Sequence, residues 1–193
     1  PEAYAIVHPR HPDGHYPFAD LSGVGVAFKL AQALLTDAQP VTEKSELPTE
    51  LLDLVALGEI ADMVSLTDEN RTLVSWGLKQ ISDSPRPGIA ALLKNAGQVA
   101  DQPINSETVS FKIAPRLNAV GRLGDAKLAL DLLVSQDEDT AVNLATQVEA
   151  INAQRQEIVE EVFGAAKQIA LSDKYHDDQV LVIAGENWHQ GIL

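Results

Sequence analysis

QDEDTAVNLATQVEAINAQRQEIVEEVFGAAKQIAL, residues 136–171, is the stretch on which the fold turns. Leu144, Val148, Ile151, Ile158, Val162, Ala166 and Ile169 lie on three- to four-residue steps, the period of a helix with one apolar stripe. Arg155 stands where that stripe calls for an apolar side chain. Ser135 with Glu138 three residues on has the form of a capping box. The spacing predicts one continuous helix, about 50 Å long at about 1.5 Å per residue. That is longer than a small domain is wide, so the helix is expected to bridge two bodies.

Working outward, a polar turn over 172–178 leads to Val180-Leu181-Val182-Ile183-Ala184, which reads as a buried, parallel-type strand opening a second domain. At the other end Tyr4-Ala5-Ile6-Val7 reads as a short buried strand. Between them the pattern is helical. Asp20 is placed to cap a helix over 21–35, and Pro48 suits the first turn of an almost wholly apolar helix over 49–61. Asp68 and Glu69 favour the start of a helix to about Ile81, and Pro87 opens a shorter one that Gly97 can close. Linkers are expected at 36–46 and 95–105. The expectation is a mostly α-helical chain with a flanking strand at each end.

The chain has 193 residues, 45% hydrophobic, enough for one sizeable core or two small ones. No apolar run approaches the roughly 18 residues of a membrane span and no signal peptide opens the chain, so a cytoplasmic setting is expected. Without cysteine, any metal site must use carboxylate or imidazole ligands, which favours magnesium or manganese. With 28 acidic against 14 basic residues the net charge is -14, which argues against a broad non-specific nucleic-acid surface but leaves room for a local basic groove. The chain begins at Pro1 without an initiator Met and stops within an apolar run at Gly191-Ile192-Leu193, so both ends are expected to be cut.

Three segments carry chemistry. Asp53, Glu59 and Asp62 lie on the apolar helix, where an ionised group is costly unless paired or metal-bound. Asp62, at its end, is either a metal ligand or a surface and capping carboxylate; Asp53 is about 13 Å away along a helix, too far to share an ion. In Ala114-Pro-Arg-Leu-Asn-Ala-Val-Gly-Arg122, followed by Gly124 and Asp125, Arg116, Asn118 and Arg122 sit in what reads as a tightly turning, glycine-hinged loop. Guanidinium forks there suit phosphate; pairing with Asp125 in a structural loop is the alternative. In the loop Gly185-Glu-Asn-Trp-His-Gln-Gly191, Trp188 could stack a base, or the loop is simply a turn. His8, His11 and His15 lie in a proline-rich loop whose spacing gives little support to a zinc site.

The order YPFADLSGVGVAFKLAQAL, LDLVALGEIADMVSL, ENRTLVSWGL, IAPRLNAVGRLGDA, long helix, VLVIAGENWHQGIL resembles the RecJ branch of the DHH phosphoesterases over nearly the whole chain, with PRLNAVGR and WHQGI its most specific segments. The resemblance implies an α/β parent in which residues 1–134 are the C-terminal part of a DHH catalytic domain, 135–172 a connecting helix, and 173–193 the start of a DHH-associated domain. It implies a manganese- or magnesium-dependent 5′→3′ exonuclease acting on single-stranded DNA in repair and recombination, by two-metal hydrolysis. Asp62 would be a metal ligand and catalytic residue; Arg116, Asn118, Arg122, Trp188 and His189 would contact the strand; a single-strand-binding protein or helicase would be a partner. The sequence departs from the family pattern in having no Asp-His-His triplet, so the chain alone is expected to be inactive. A sister phosphodiesterase acting on oligonucleotides or cyclic dinucleotides, or a non-catalytic helical scaffold, are the alternatives.

Overall fold

The computed structural model describes residues 3–38, 48–99, 102–172, 179–189 and 191. Its elements are α1 (Gly23–Ala38), a 3₁₀ turn (Thr49–Leu51) running into α2 (Leu52–Ala61), α3 (Asp68–Asp83), α4 (Pro87–Asn95), α5 (Ser106–Thr108), a π-helical turn (Val109–Ile113), α6 (Ala114–Leu123), α7 (Lys127–Val134) and α8 (Glu138–Ala170).

α2 is the axis of the body because it is apolar nearly all round. Leu52, Val55, Ala56, Leu57 and Ile60 are all buried. On one side Phe28, Leu52, Val55 and Leu73 join it to α1 and α3; on the other Leu57 and Ile60 meet Ile81, Leu92, Val109, Ile113, Val120, Leu132 and Val148. α3 lies so close that a Cβ on Gly77 would strike the Leu52 carbonyl and the Ala56 side chain, so only glycine permits this approach.

The long helix spans 33 residues, as the period required, but its cap is different from the expected one. Asp137, not Ser135, is the N-cap and accepts from the Thr140 N–H at 2.7 Å, while Ser135 donates to the Asp137 carbonyl. The buried seam is Ala141, Ala145, Val148 and Asn152, packed on α4, α6 and α7. Small residues fill it because the neighbouring helices come close. Past Asn152 no residue of α8 is buried.

The structure corrects several expectations. Neither 4–7 nor 180–184 forms a strand; Tyr4, Ile6, Val7, Val180 and Val182 are exposed. A strand needs a partner to complete its ladder, and no strand is present among the described residues. α1 starts at Gly23, with the Ser22 hydroxyl accepting from the Gly25 N–H at 3.3 Å, while Asp20 is held by Arg10. The segment from Ala114 to Leu123 is a helix and not a loop. Pro115 sits in its first turn, where its missing N–H is harmless, and Gly121 has open space around it on the helix surface. Most of the linker expected at 36–46 lies outside the described residues, as do 173–178.

Candidate functional site

Two buried carboxylates project from α2 and meet different fates. Asp53 pairs with Arg86, Nε to Oδ2 at 2.5 Å, and its Oδ1 accepts from the Leu54 N–H at 2.7 Å. Glu59 is 0% exposed, and neither carboxylate oxygen has a hydrogen-bond partner. It occupies the space that a side chain at position 25 would need, so Gly25 of α1 makes room for it. Burial raises the Glu59 pKa above the ordinary value; Asp62 and Glu69 add like-charge repulsion. The Ser22 hydroxyl and amide act in the opposite sense without holding either oxygen in good hydrogen-bonding geometry.

Asp62 is the C-cap of α2, its N–H bonded to the Gly58 carbonyl, with its side chain exposed. The backbone leaves α2 through Met63, which takes a left-handed φ of 54°. Asp62 faces a polar cleft of about 430 Å³ with His8, Arg10, Asp20 and Ser22. Asn70, buried in α3, donates to the carbonyls of Asp20 at 2.8 Å and Ser65 at 3.1 Å and so ties together the two loops that form this cleft. His8 Nδ1 accepts from the Arg10 N–H and His11 Nδ1 from the Asp13 N–H, the local roles open to loop histidines. Among the described residues no three His, Asp or Glu side chains are grouped to hold a metal ion, so Asp62 offers a single carboxylate and these residues do not make a metal site by themselves.

Asn118 of α6 reaches a second cleft beside Asp62, shared with Ser22 and Gly23. Asn118 and Arg122, four residues apart and thus on one helix face, also line a third cleft of about 440 Å³ with Arg155 of α8. Arg116 lies on another face. Its Nε and Nη2 grip Glu149 at 2.5 and 3.1 Å and its Nη1 donates to the Lys112 carbonyl at 2.6 Å, which fastens α6 to α8. Asp125 pairs with neither arginine; it accepts from the Lys127 N–H at 2.8 Å and starts α7.

Arg122 donates to the Gly191 carbonyl, bringing the loop that holds Trp188 and His189 to the end of α6. Trp188 folds back over Gly185, and His189 Nδ1 accepts from the Gly191 N–H at 3.1 Å. The structure therefore aligns Asp62, Asn118 and Arg122 along one surface with the Trp188–His189 loop near its end, and leaves Arg116 off it. Sequence reasoning missed Asn70, Ser22 and Arg155. The break at Arg155 in the apolar stripe was the one available signal.

The helical body thus presents a cleft-facing carboxylate and, beside it, a carboxamide and guanidinium groups, donors that can hydrogen-bond an anionic oxygen. No family model matches the chain. It is 42% identical over 193 residues to the single-stranded-DNA-specific exonuclease RecJ of Bacillus subtilis (strain 168), of which it spans 23%, and 37% identical over 205 residues to that of Escherichia coli (strain K12), of which it spans 35%. A crystal structure of RecJ from Thermus thermophilus in complex with Mn2+ superposes with a TM-score of 0.76 at 34% identity, covering 94% of this chain and 26% of that one. A crystal structure of exonuclease RecJ bound to manganese gives 0.72 at 34% identity, covering 89% of this chain and 41% of that one. Over its whole length the chain is thus similar to a segment of these RecJ exonucleases, and it spans about a quarter to a third of the length of the curated relatives it matches.

Proposed function

We propose that this chain works as part of a longer RecJ polypeptide, a manganese- or magnesium-dependent exonuclease that hydrolyses single-stranded DNA from the 5′ end in repair and recombination. The observation that carries this reading is the single surface from Asp62 through Asn118 to Arg122, a local basic and polar path in a chain of net charge -14. Asp62 donates one carboxylate to the metal site, and the remaining ligands come from outside these 193 residues. Asn118 and Arg122 hold the phosphate backbone, Trp188 and His189 contact the strand beyond them, and Arg116 fixes α6 in place through Glu149. The crystal structures of RecJ with Mn2+ and with Mg2+ support divalent-metal use.

Residues 1–134 then belong to the catalytic domain, 135–172 connect, and 173–193 begin the associated domain of an α/β parent. The half of α8 with no buried residue and the exposed apolar runs at 4–7 and 180–182 support this division, since each is a surface that further chain would cover. No helix among the described residues is long and apolar enough to cross a membrane. The enzyme acts in the cytoplasm on strands that a helicase or a single-strand-binding protein presents.

Degradation of 5′-labelled single-stranded DNA by the full-length polypeptide with manganese tests the reading. Asp62→Asn should lower turnover at saturating DNA, and Arg122→Ala should raise the DNA concentration for half-maximal rate. Wild-type behaviour of both variants would overturn it.

A further inference from the structure

The break in the apolar stripe of α8 leads to two residues that the proposed function does not use, Arg155 and, across the same cleft, Phe111. Arg155 makes no hydrogen bond or ion pair with any described residue, and its Nε is buried. A partly desolvated guanidinium without an anion is costly, so the position selects for a ligand that carries one. Its surroundings favour the same kind of ligand: the cleft that Arg155 lines also holds Arg122, Asn118 and Ser110, with Phe111 and Met63 at its apolar side. The cleft volume, about 440 Å³, lies within the roughly 300–1,000 Å³ of small-molecule seats.

Phe111 is 77% exposed, unusual for a large aromatic side chain next to a buried core. The backbone explains how it is presented. Pro115 has no N–H to donate to the carbonyl four residues earlier, that of Phe111, and the helix widens to a π turn over Val109–Ile113. Val109 and Ile113 stay buried on that turn while Phe111 is turned outward into the cleft. Such turns occur often at functional sites. An exposed aromatic face beside two guanidinium groups and a carboxamide matches the two halves of a nucleotide, a base to stack and a phosphate to bind.

We propose that this cleft seats one nucleotide of a single strand, with its phosphate between Arg122 and Arg155 and its base stacked on Phe111. The proposal rests on the single-strand reading of the same surface and extends it by two residues, Arg155 and Phe111. Arg155 bridges the folded body and the free half of α8, so a nucleotide held there also touches the element expected to link the two domains.

All the residues of this seat belong to the 193-residue chain, which can therefore be tested directly. Fluorescence anisotropy is measured with labelled dT12 and with an abasic strand of equal length and charge, over a series of salt concentrations. Arg155→Gln should weaken both probes about tenfold and make the slope of log affinity against log salt shallower by about 0.7, the value of one single-strand phosphate contact. Arg155→Lys should keep the slope. Phe111→Ala should weaken dT12 about tenfold, leave the abasic strand and the slope unchanged, and be relieved by Phe111→Trp. Far-UV circular dichroism confirms that each variant keeps its helices. Binding that depends on Arg122 but not on Arg155 or Phe111 would overturn this inference alone, as would a Phe111→Ala loss equal for both probes. No binding of either probe by the wild-type chain would overturn the single-strand reading as well.

Discussion

Replacing Arg86 with Ala should be among the most damaging single changes in this fold, although Arg86 lies at its edge. The Asp53 side chain is 1% exposed and Arg86 19%, with 2.5 Å between Nε and Oδ2. Arg86 also donates to the Glu50 carbonyl and so ties the entrance of α4 to the start of α2. In the variant, Asp53 Oδ1 keeps the Leu54 N–H while Oδ2 is left in the interior without a cation. Breaking a buried pair from one side costs about 3–5 kcal/mol. Because Arg86 is partly exposed, water can enter the vacated space, which points to the lower end, about 3 kcal/mol. For a chain of this size that corresponds to a fall in Tm of about 6–12 °C. Thermal unfolding followed by circular dichroism at pH 7 measures it. The double variant Asp53→Leu/Arg86→Leu, which leaves no charge behind, should be less destabilised than Arg86→Ala. A fall in Tm of less than about 2 °C in Arg86→Ala, or a double variant worse than the sum of the two singles, would refute the reasoning.

The other buried carboxylate predicts the opposite sign. The raised pKa of Glu59 means that the folded state keeps a proton which the unfolded chain releases near 4.5, so its stabilising contribution is complete below that pH and is lost as pH rises through the folded value. Glu59→Met, which removes two unpartnered oxygens, should therefore stabilise by about 1–3 kcal/mol at pH 8 and by less at pH 5; an equal gain at both would show that Glu59 is ionised throughout. Arg116→Ala should cost about 1 kcal/mol of stability and leave the salt dependence of strand binding unchanged, whereas Arg122→Ala should make it shallower by about 0.7; the reverse pattern would place Arg116 on the strand. The purified 193-residue chain should release no nucleotides from 5′-labelled single-stranded DNA with manganese, and a rate near that of a full-length enzyme would show a complete site within it.

What could be read from the sequence depended on whether the signal was local. The period of α8 survives in the structure within two residues at its start, because amphipathic spacing and the acidic first turn act along one helix. Pro87 and Gly97 punctuate α4 as expected, Gly97 taking a left-handed φ of 67°. The segment from Ala114 to Leu123 misled because proline and glycine are also turn residues; what resolves them is position, Pro115 in the first turn and Gly121 on an open face. The apolar runs at 4–7 and 180–184 have strand composition, but a ladder depends on a partner that no local pattern encodes. The accommodation of Glu59 by Gly25 and the grip of Arg116 on Glu149 join residues more than thirty positions apart, so neither was legible. For the site, Asp62, Asn118 and Arg122 could be named from residue type, while their alignment required the π-helical turn packed on α2 to bring the following α6, with Asn118, beside Asp62.

The most direct test is the manganese dependence of nuclease turnover in the proposed full-length RecJ polypeptide carrying Asp62→Ala, measured on 5′-labelled single-stranded DNA with the fold checked by circular dichroism. Asp62 as a metal ligand predicts a fall in turnover of orders of magnitude at limiting manganese, with Tm unchanged or raised when metal is absent because one charge near Glu59 is gone. Near wild-type turnover at limiting manganese would show Asp62 to be a surface cap of α2 and would contradict the proposed site.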